Sequence, residues 1–395
     1  MARILITWEL GGGLGHLAPM APIVRELRNR GHDIFAAVRE LSHIDVLFGP
    51  YGVTYLQAPF KSTRCAQWIN PPRTLGHVLH NTGFSDPVEL KGMAEAWRSL
   101  YAMVKPDLIL FDHSPTALLA ARTLDVRRAV IGTGFCCPPD VAPLPDMRTW
   151  MPDASEQLRQ DEERLLGTIN RQLEAWGRPP LERLAKLYHE VDAVFLTTFR
   201  ELDHYPDRQN AEYYGVWPTA GGKAPVWPDA PGKKVFAYLK PFKAQVNLLE
   251  VLGQLRHSTI LYVEYLEPKL KTRFESDSLH FEDERLDLEA VAATCDAAIL
   301  NAGHGATATL LLAGKPLMLI PIHLEQAMTA GAVGRLKAGV SADPNQPEPV
   351  ISRLMTLLQR DDFAAAARQF ADKYAGFSPN QKIALIVERI DALLR

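Results

Sequence analysis

Residues 3–19 read RILITWELGGGLGHLAP. A short apolar run ends in Glu9 and Leu10, then come four glycines, Gly11, Gly12, Gly13 and Gly15, and a histidine, His16. Beyond it, PMAPIVRELRNRG (19–31) carries Ile23, Val24 and Leu27 near three-to-four spacing and stops at Gly31, the pattern of a helix. HDIFAAV (32–38) reads as a second buried strand. Strand, glycine turn, helix and strand make a βαβ unit, which implies a parallel sheet with helices on both faces.

The alternation continues. KPDLILFDHSP (105–115) is a strand ending in polar residues, TALLAARTLD (116–125) a helix, and RRAVIGTGF (127–135) and VDAVFLTT (191–198) are further strands. Residues 60–100 and the charged helical stretch 155–190 read as excursions from this first domain. GVWPTAGGKAPVWPDAPGKK (215–234) has linker composition. Then KVFAYL, AQVNLLEVLGQL, STILYVEY, SLHFE, DLEAVAAT and DAAILN restart the pattern, followed by AGHGATATLLLAG, PLMLIP and QAMTAGAVGRLKAG. The last segment, QKIALIVERIDALLR, is amphipathic. The expected organisation is α/β, with a first Rossmann-like domain over 1–215, a linker over 216–233, a second such domain over 234–378 and a terminal helix over 379–395.

The totals fit this reading. At roughly 150 residues per domain, a chain of 395 residues holds about two domains. Apolar residues make up 47%, enough for a core in each half. The formal charge of −3, with both signs interspersed, speaks against a nucleic-acid protein, which would present a basic face. No run of 18 apolar residues occurs, so no membrane span is expected. The opening MARILITWEL is too short and polar for a signal peptide, and a cytoplasmic protein is expected. Cys65, Cys136, Cys137 and Cys295 show no metal-ligand spacing, and reduced, mostly buried thiols are expected.

The first glycine loop admits three readings. Gly13-x-Gly15-x-x-Ala18, with Glu40 at the end of the second strand, fits a dinucleotide fingerprint, which would make an NAD or FAD enzyme. His16 could instead be an exposed residue of a plain strand-to-helix turn. Or the loop places His16 in a catalytic cleft. The second half of the chain bears on this. In NAGHGATATLLLAGKPLMLIPIHLEQ (301–326) a strand again enters a helix through glycines, with small residues in the first turn. Backbone N–H groups at such a terminus bind phosphate, and only small residues allow that approach. Two such loops on two α/β domains suggest a cleft, with a phosphorylated donor on one side and a partner substrate on the other. A dehydrogenase reading leaves residues 301–326 unexplained.

The 301–326 stretch resembles the donor-binding signature of the family 1 nucleotide-sugar glycosyltransferases, which have the GT-B fold. Asn301, Gly303, Thr307, Gly314, Pro316, Pro321, Glu325 and Gln326 stand at the family's intervals, and Gly15–Pro19 resembles its Gly-His-x-x-Pro element. The likeness covers nearly the whole chain and is nearest to the bacterial macrolide- and natural-product-type members. It implies two Rossmann-like domains facing across a cleft, with the last helix crossing back to the first. It also implies an inverting, metal-independent hexosyl transfer from a UDP- or dTDP-linked sugar to a hydroxyl of a small acceptor, with no further cofactor.

The same resemblance assigns roles. His16 becomes the general base, a task suited to imidazole near neutral pH. Asp112 would orient it; on spacing alone Asp112 reads rather as an N-cap before TALLAA or a turn residue, and His113 lies beside it. The N–H groups around Gly303, His304, Gly305 and Thr307 would meet the leaving diphosphate. Glu325 and Gln326 would hold sugar hydroxyls, or simply occupy a helix N-terminus. The family's usual histidine is Asn301 here; His304 either replaces its phosphate contact or is an exposed loop residue. Lys240 either neutralises phosphate or is a solvated lysine. Two other classes share the fold: a nucleotide-sugar epimerase and a non-catalytic auxiliary protein. Acceptor loops are expected at 60–90 and 136–165.

Overall fold

The computed structural model describes residues 1–217 and 221–395. Residues 218–220 of the expected linker lie outside the described residues. The chain forms two compact units, one of residues 1–198, 207–215 and 379–395, the other of residues 199–206 and 216–378.

In the first unit, six parallel strands are β1 (Arg3–Trp8), β2 (Asp33–Val38), β3 (Thr54–Gln57), β4 (Leu108–Asp112), β5 (Arg127–Gly132) and β6 (Ala193–Leu196). Their order is β3-β2-β1-β4-β5-β6. β4 is buried along its whole length and β1 nearly so, as expected of central strands covered on both faces. β3 is an edge strand and mostly exposed, which is why no apolar run marks it in the sequence. Strand order reverses between β1 and β4, so both carboxyl ends open on the crevice where α/β sheets bind ligands.

The second unit repeats the plan with β7 (Lys234–Leu239), β8 (Ser258–Val263), β9 (Leu279–Glu282), β10 (Ala297–Leu300), β11 (Leu317–Leu319) and β12 (Gly339–Ser341). All neighbours are parallel, in the order β12-β11-β10-β7-β8-β9. Read from β9, this is the same order as the first sheet, with its reversal between β7 and β10. Each unit is therefore a Rossmann-like α/β domain. The sequence reading omits β12 and the helices Pro347–Gln359 and Asp362–Lys373.

Three boundaries differ from expectation. The first helix begins at Leu14 rather than Pro19, with Gly13 as its N-cap at φ 77°, so His16 lies in the first helical turn. Residues 199–206 belong to the second unit, not the first. Phe199 packs edge-on against Phe370 and Phe377 and tilted against Tyr374, and Leu202 is fully buried in the same core. The described part of the linker is not free chain either. Val216 joins that core, Lys223 N donates to Arg285 O at 2.8 Å, and Asp287 N donates back to Lys223 O at 2.8 Å.

The last helix, Pro379–Leu393, belongs to the first unit and buries Ile383, Ile386, Val387 and Ile390. Asp391 receives Arg30 Nη1 at 2.5 Å and His32 Nε2 at 2.8 Å. Burial raises its carboxyl, but those two donors outweigh it and hold the carboxyl below its usual range. A buried Ile side chain contributes about 1.5–3 kcal/mol. Ile386→Ala should therefore lower unfolding stability by about 2–5 kcal/mol, read as a lower denaturant midpoint. A loss under about 0.5 kcal/mol, typical of surface positions, would mean that this helix is not part of the unit's core.

Candidate active site

At the first switch point, register sets the geometry. Trp8 pairs with Asp112 across β1 and β4. The helix after β1 carries His16, whose Nδ1 lies 3.0 Å from Asp112 Oδ2, across 96 residues of sequence. The imidazole stacks on Trp8, with ring centroids 5.0 Å apart and planes 22° apart, and on His113 at 5.9 Å. Asp112 is buried. Gly132 adjoins it: a Cβ there would stand in ordinary contact with Asp112 Oδ1 at 3.4 Å. Asp112 is not the N-cap of the helix Pro115–Ala121; that position is Ser114.

Gly11 explains part of the glycine cluster. It has φ +85°, and a Cβ there would stand 2.5 Å from His16 Nε2. The ring's second nitrogen therefore faces the bare Cα of Gly11. Gly13 has another task. Its N–H donates to Glu40 Oε2 at 3.1 Å, and Glu40 Oε1 lies 3.0 Å from where a Gly12 Cβ would be. In the dinucleotide reading Glu40 would reach a ribose and this loop a pyrophosphate. Here the protein's own carboxylate takes the loop's donor.

Two neighbours surround the pair: His113, which the sequence places beside Asp112, and Glu9, which the sequence reading misses. His113 is buried at φ +41°, and burial, aided by His16 and Arg39, pushes its imidazole down to about 3, so it is neutral. Its carbonyl accepts from Leu10 N at 3.1 Å. Glu9 is buried between β1 and the helix Pro115–Ala121. It accepts from Thr116 N at 2.6 Å, Ala117 N at 3.3 Å and Trp97 Nε1 at 2.8 Å. Desolvation raises its carboxyl to about 7 against these donors. Folded Glu9 thus holds its proton to higher pH than unfolded Glu9, and its contribution to stability falls as pH rises from 4.5 towards 7. The signal in sequence is an acidic residue at the end of a buried strand.

In the second unit, β10 delivers Asn301 to the other switch point. Its Oδ1 accepts from Lys240 N at 2.5 Å, at the end of β7, and its Nδ2 donates to Ile320 O at 2.8 Å, at the end of β11. Asn301 thus ties three strand ends together. The helix His304–Leu312 follows Gly303, with no side-chain cap. Its first N–H groups lack intrahelical acceptors. A Cβ at Gly303 or Gly305 would meet nothing within 4 Å, so the space before them is open. Thr307 is fully buried in the first turn, and its Oγ1 has no partner among the described residues.

His304 matches neither expectation. Its ring nitrogens are buried without partners among the described residues, and the ring lies 5.3 Å from that of His204. Burial pushes its imidazole down to about 4, with Asp203 opposing, so at neutral pH it carries no charge for a phosphate. Lys240 is half-exposed, with Nζ 3.6 Å from Glu264 Oε2. Glu264, also unforeseen, accepts from Tyr238 Oη at 2.7 Å and faces Arg285. Glu325 lies in the first turn of the helix Leu324–Arg335. Gln326 is buried, and its Oε1 accepts from Ile322 N at 2.9 Å, so the amide's donor end is turned away from that bond.

Among the described residues no cluster of three or more His, Cys, Asp or Glu side chains could hold a metal ion. Among them, too, no helix is long and apolar enough to cross a membrane. Cys136, Cys137 and Cys295 are buried, Cys65 is partly exposed, and among the described residues none joins a disulfide.

The Gly11 geometry is open to test. Gly11→Ala should displace the His16 ring and strain the turn while leaving the second unit unaffected. A crystal structure of the variant with the 3.0 Å His16–Asp112 contact intact would show that the loop yields instead of the ring.

No protein-family model and no curated protein matches the chain. Solved structures do. The calicheamicin glycosyltransferase superposes with a TM-score of 0.68 at 18% identity, covering 100% of this chain and 98% of its own. The Streptomyces sp. SF2575 glycosyltransferase, complexed with thymidine diphosphate, gives 0.63 at 19% identity, over 98% of this chain and 100% of its own. The spinosyn rhamnosyltransferase, complexed with spinosyn aglycone, gives 0.66 at 16% identity, over 98% and 99%. Over nearly its whole length the chain has the fold of these glycosyltransferases, two Rossmann-like domains of the GT-B type.

Proposed function

We propose that the protein is an inverting glycosyltransferase that moves a hexose from a UDP- or dTDP-linked sugar to a hydroxyl of a small acceptor. The observation that carries this reading is the 3.0 Å His16–Asp112 pair at the switch point of the first sheet. The fold supports it, since one solved structure of that fold holds thymidine diphosphate and another an aglycone. With Nδ1–H donated to Asp112, the basic lone pair of His16 is on Nε2. That nitrogen takes the acceptor's hydroxyl proton as the oxygen attacks the sugar C1. The bond from C1 to the β-phosphate oxygen breaks on the opposite face, and the nucleoside diphosphate leaves. Asp112 holds the ring's tautomer and stabilises the imidazolium.

The leaving charge is met by the N–H groups at the start of the helix His304–Leu312, which lie in open space behind Gly303 and Gly305. In this reading Glu325 and Gln326, whose donor end is turned from Ile322, hold sugar hydroxyls. Asn301 serves the site by fixing the ends of β7, β10 and β11. In this reading the diphosphate needs no divalent ion.

His16→Ala should lower turnover on the order of 10²–10⁴-fold and leave nucleoside diphosphate affinity unchanged. Parental turnover with a proven acceptor would remove His16 from the chemistry. The donor half has its own test. Gly305→Glu, which puts a carboxylate in the open space of the first helical turn, should abolish diphosphate binding in a calorimetric titration, and the rate of the parent should survive excess EDTA. An enzyme silent in EDTA and restored by magnesium or manganese would move the leaving-group stabilisation to a metal ion.

A further inference from the structure

Glu9 is the most deeply buried carboxylate near the His16–Asp112 pair, and the reaction proposed above does not use it. Its three donors come from distant parts of the first unit. Thr116 N and Ala117 N open the helix that follows β4, and Trp97 Nε1 comes from the helix Pro87–Val104. Ser114, the local N-cap, makes no side-chain capping bond, so this helix takes its cap from a residue 107 positions away. Tyr101 Oη closes the ring of contacts by donating to Ala117 O at 2.6 Å. Arg39 Nη1 donates to the backbone carbonyl of Glu9 at 3.2 Å.

A buried carboxylate is a costly way to cap a helix. Burial holds this one near 7, where an apolar residue and a local serine cap would carry no such penalty. What the carboxylate achieves is a tie between the two chain segments that leave the switch point. Its neighbours in sequence both touch the site: Trp8 lies under the His16 ring, and Leu10 N bonds to His113 O. Asp112 lies four residues before Thr116, on the segment that Glu9 grips.

We propose that Glu9 is a positioning residue for the His16–Asp112 pair, fastening the end of β1 to the start of the helix after β4 and so setting the reach from Nδ1 to the carboxylate. The effect on turnover rests on the reading of His16 as general base; the effect on the pair's geometry does not.

The test uses the full chain with ¹⁵N-labelled histidine, the His16 signals being assigned by their loss in His16→Ala. Glu9→Gln keeps shape and one acceptor but turns an amide donor toward N–H groups. The Nδ1–H signal of His16, protected by Asp112 in the parent, should exchange with water on the order of tenfold faster in Glu9→Gln. Turnover should fall by a similar factor, with KM for the nucleotide sugar unchanged. Nucleoside diphosphate affinity should be that of the parent. A folded Glu9→Gln with parental Nδ1–H exchange overturns the proposal. Should that variant fail to fold, Trp97→Phe removes one donor to the carboxylate, and faster Nδ1–H exchange is expected there too; parental exchange overturns the proposal equally. If His16→Ala keeps full turnover, the general-base reading fails, and the exchange measurement alone still decides the role of Glu9.

Discussion

The register of β1 against β4 is the constraint on which the first unit's chemistry depends. Trp8 stands opposite Asp112, and only in that pairing does the turn after Trp8 return His16 to the aspartate. A slip of one residue would send the Asp112 side chain to the other face of the sheet. The register is held by packing on both faces: a slip would move Ile4, Leu5, Ile6 and their partners out of their close-packed positions. Core packing and site geometry are thus the same fact seen from two sides. The left-handed turn at His113 and the bare Cα of Gly11 then shape the space around the ring.

The second unit meets the same topological problem with different chemistry. Its switch point is pinned by an amide instead of a charged pair. Asn301 gives its oxygen to the backbone after β7 and its N–H to the backbone after β11, which holds three strand ends in register. Neutral donors and acceptors suit that task, because both ends of the amide are satisfied and no charge is buried.

Much of the α/β alternation is legible in the sequence because central parallel strands are continuous apolar runs. LILFD and AAIL declare themselves, whereas TYLQ, exposed at a sheet edge, and the three-residue GVS do not. The helix start at Leu14 is hidden because glycines and Pro19 argue against helix locally, while Gly13 in fact supplies the N-cap conformation. Residues 199–206 are illegible for another reason: Phe199 joins its aromatic cluster through partners more than 170 positions away. At the site, His16 and Asp112 are singled out by resemblance, not by spacing. Glu9 escapes because its partners lie 88 to 108 residues distant. His304 escapes because nothing local says that His204 will bury it.

The two glycine turns look alike in sequence yet are not equivalent, and electrostatics separates them. Both open a helix after the first or fourth strand of a sheet of the same order, so both offer unpaired N–H groups and the positive end of a dipole. In the first unit Glu40 accepts from Gly13 N, so an internal carboxylate already occupies the position an anion would seek. A diphosphate there would meet a negative charge. Among the described residues of the second unit no acidic side chain plays that part in the turn: Gly303 and Gly305 face open space, the nearby His304 is neutral, and Lys240 Nζ lies 3.6 Å from Glu264. In the proposed reading, the attraction for an anion there rests on oriented backbone dipoles, which are fixed in advance and need no reorganisation as charge develops. The first turn, its Gly13 N–H taken by Glu40, carries the His16–Asp112 pair instead.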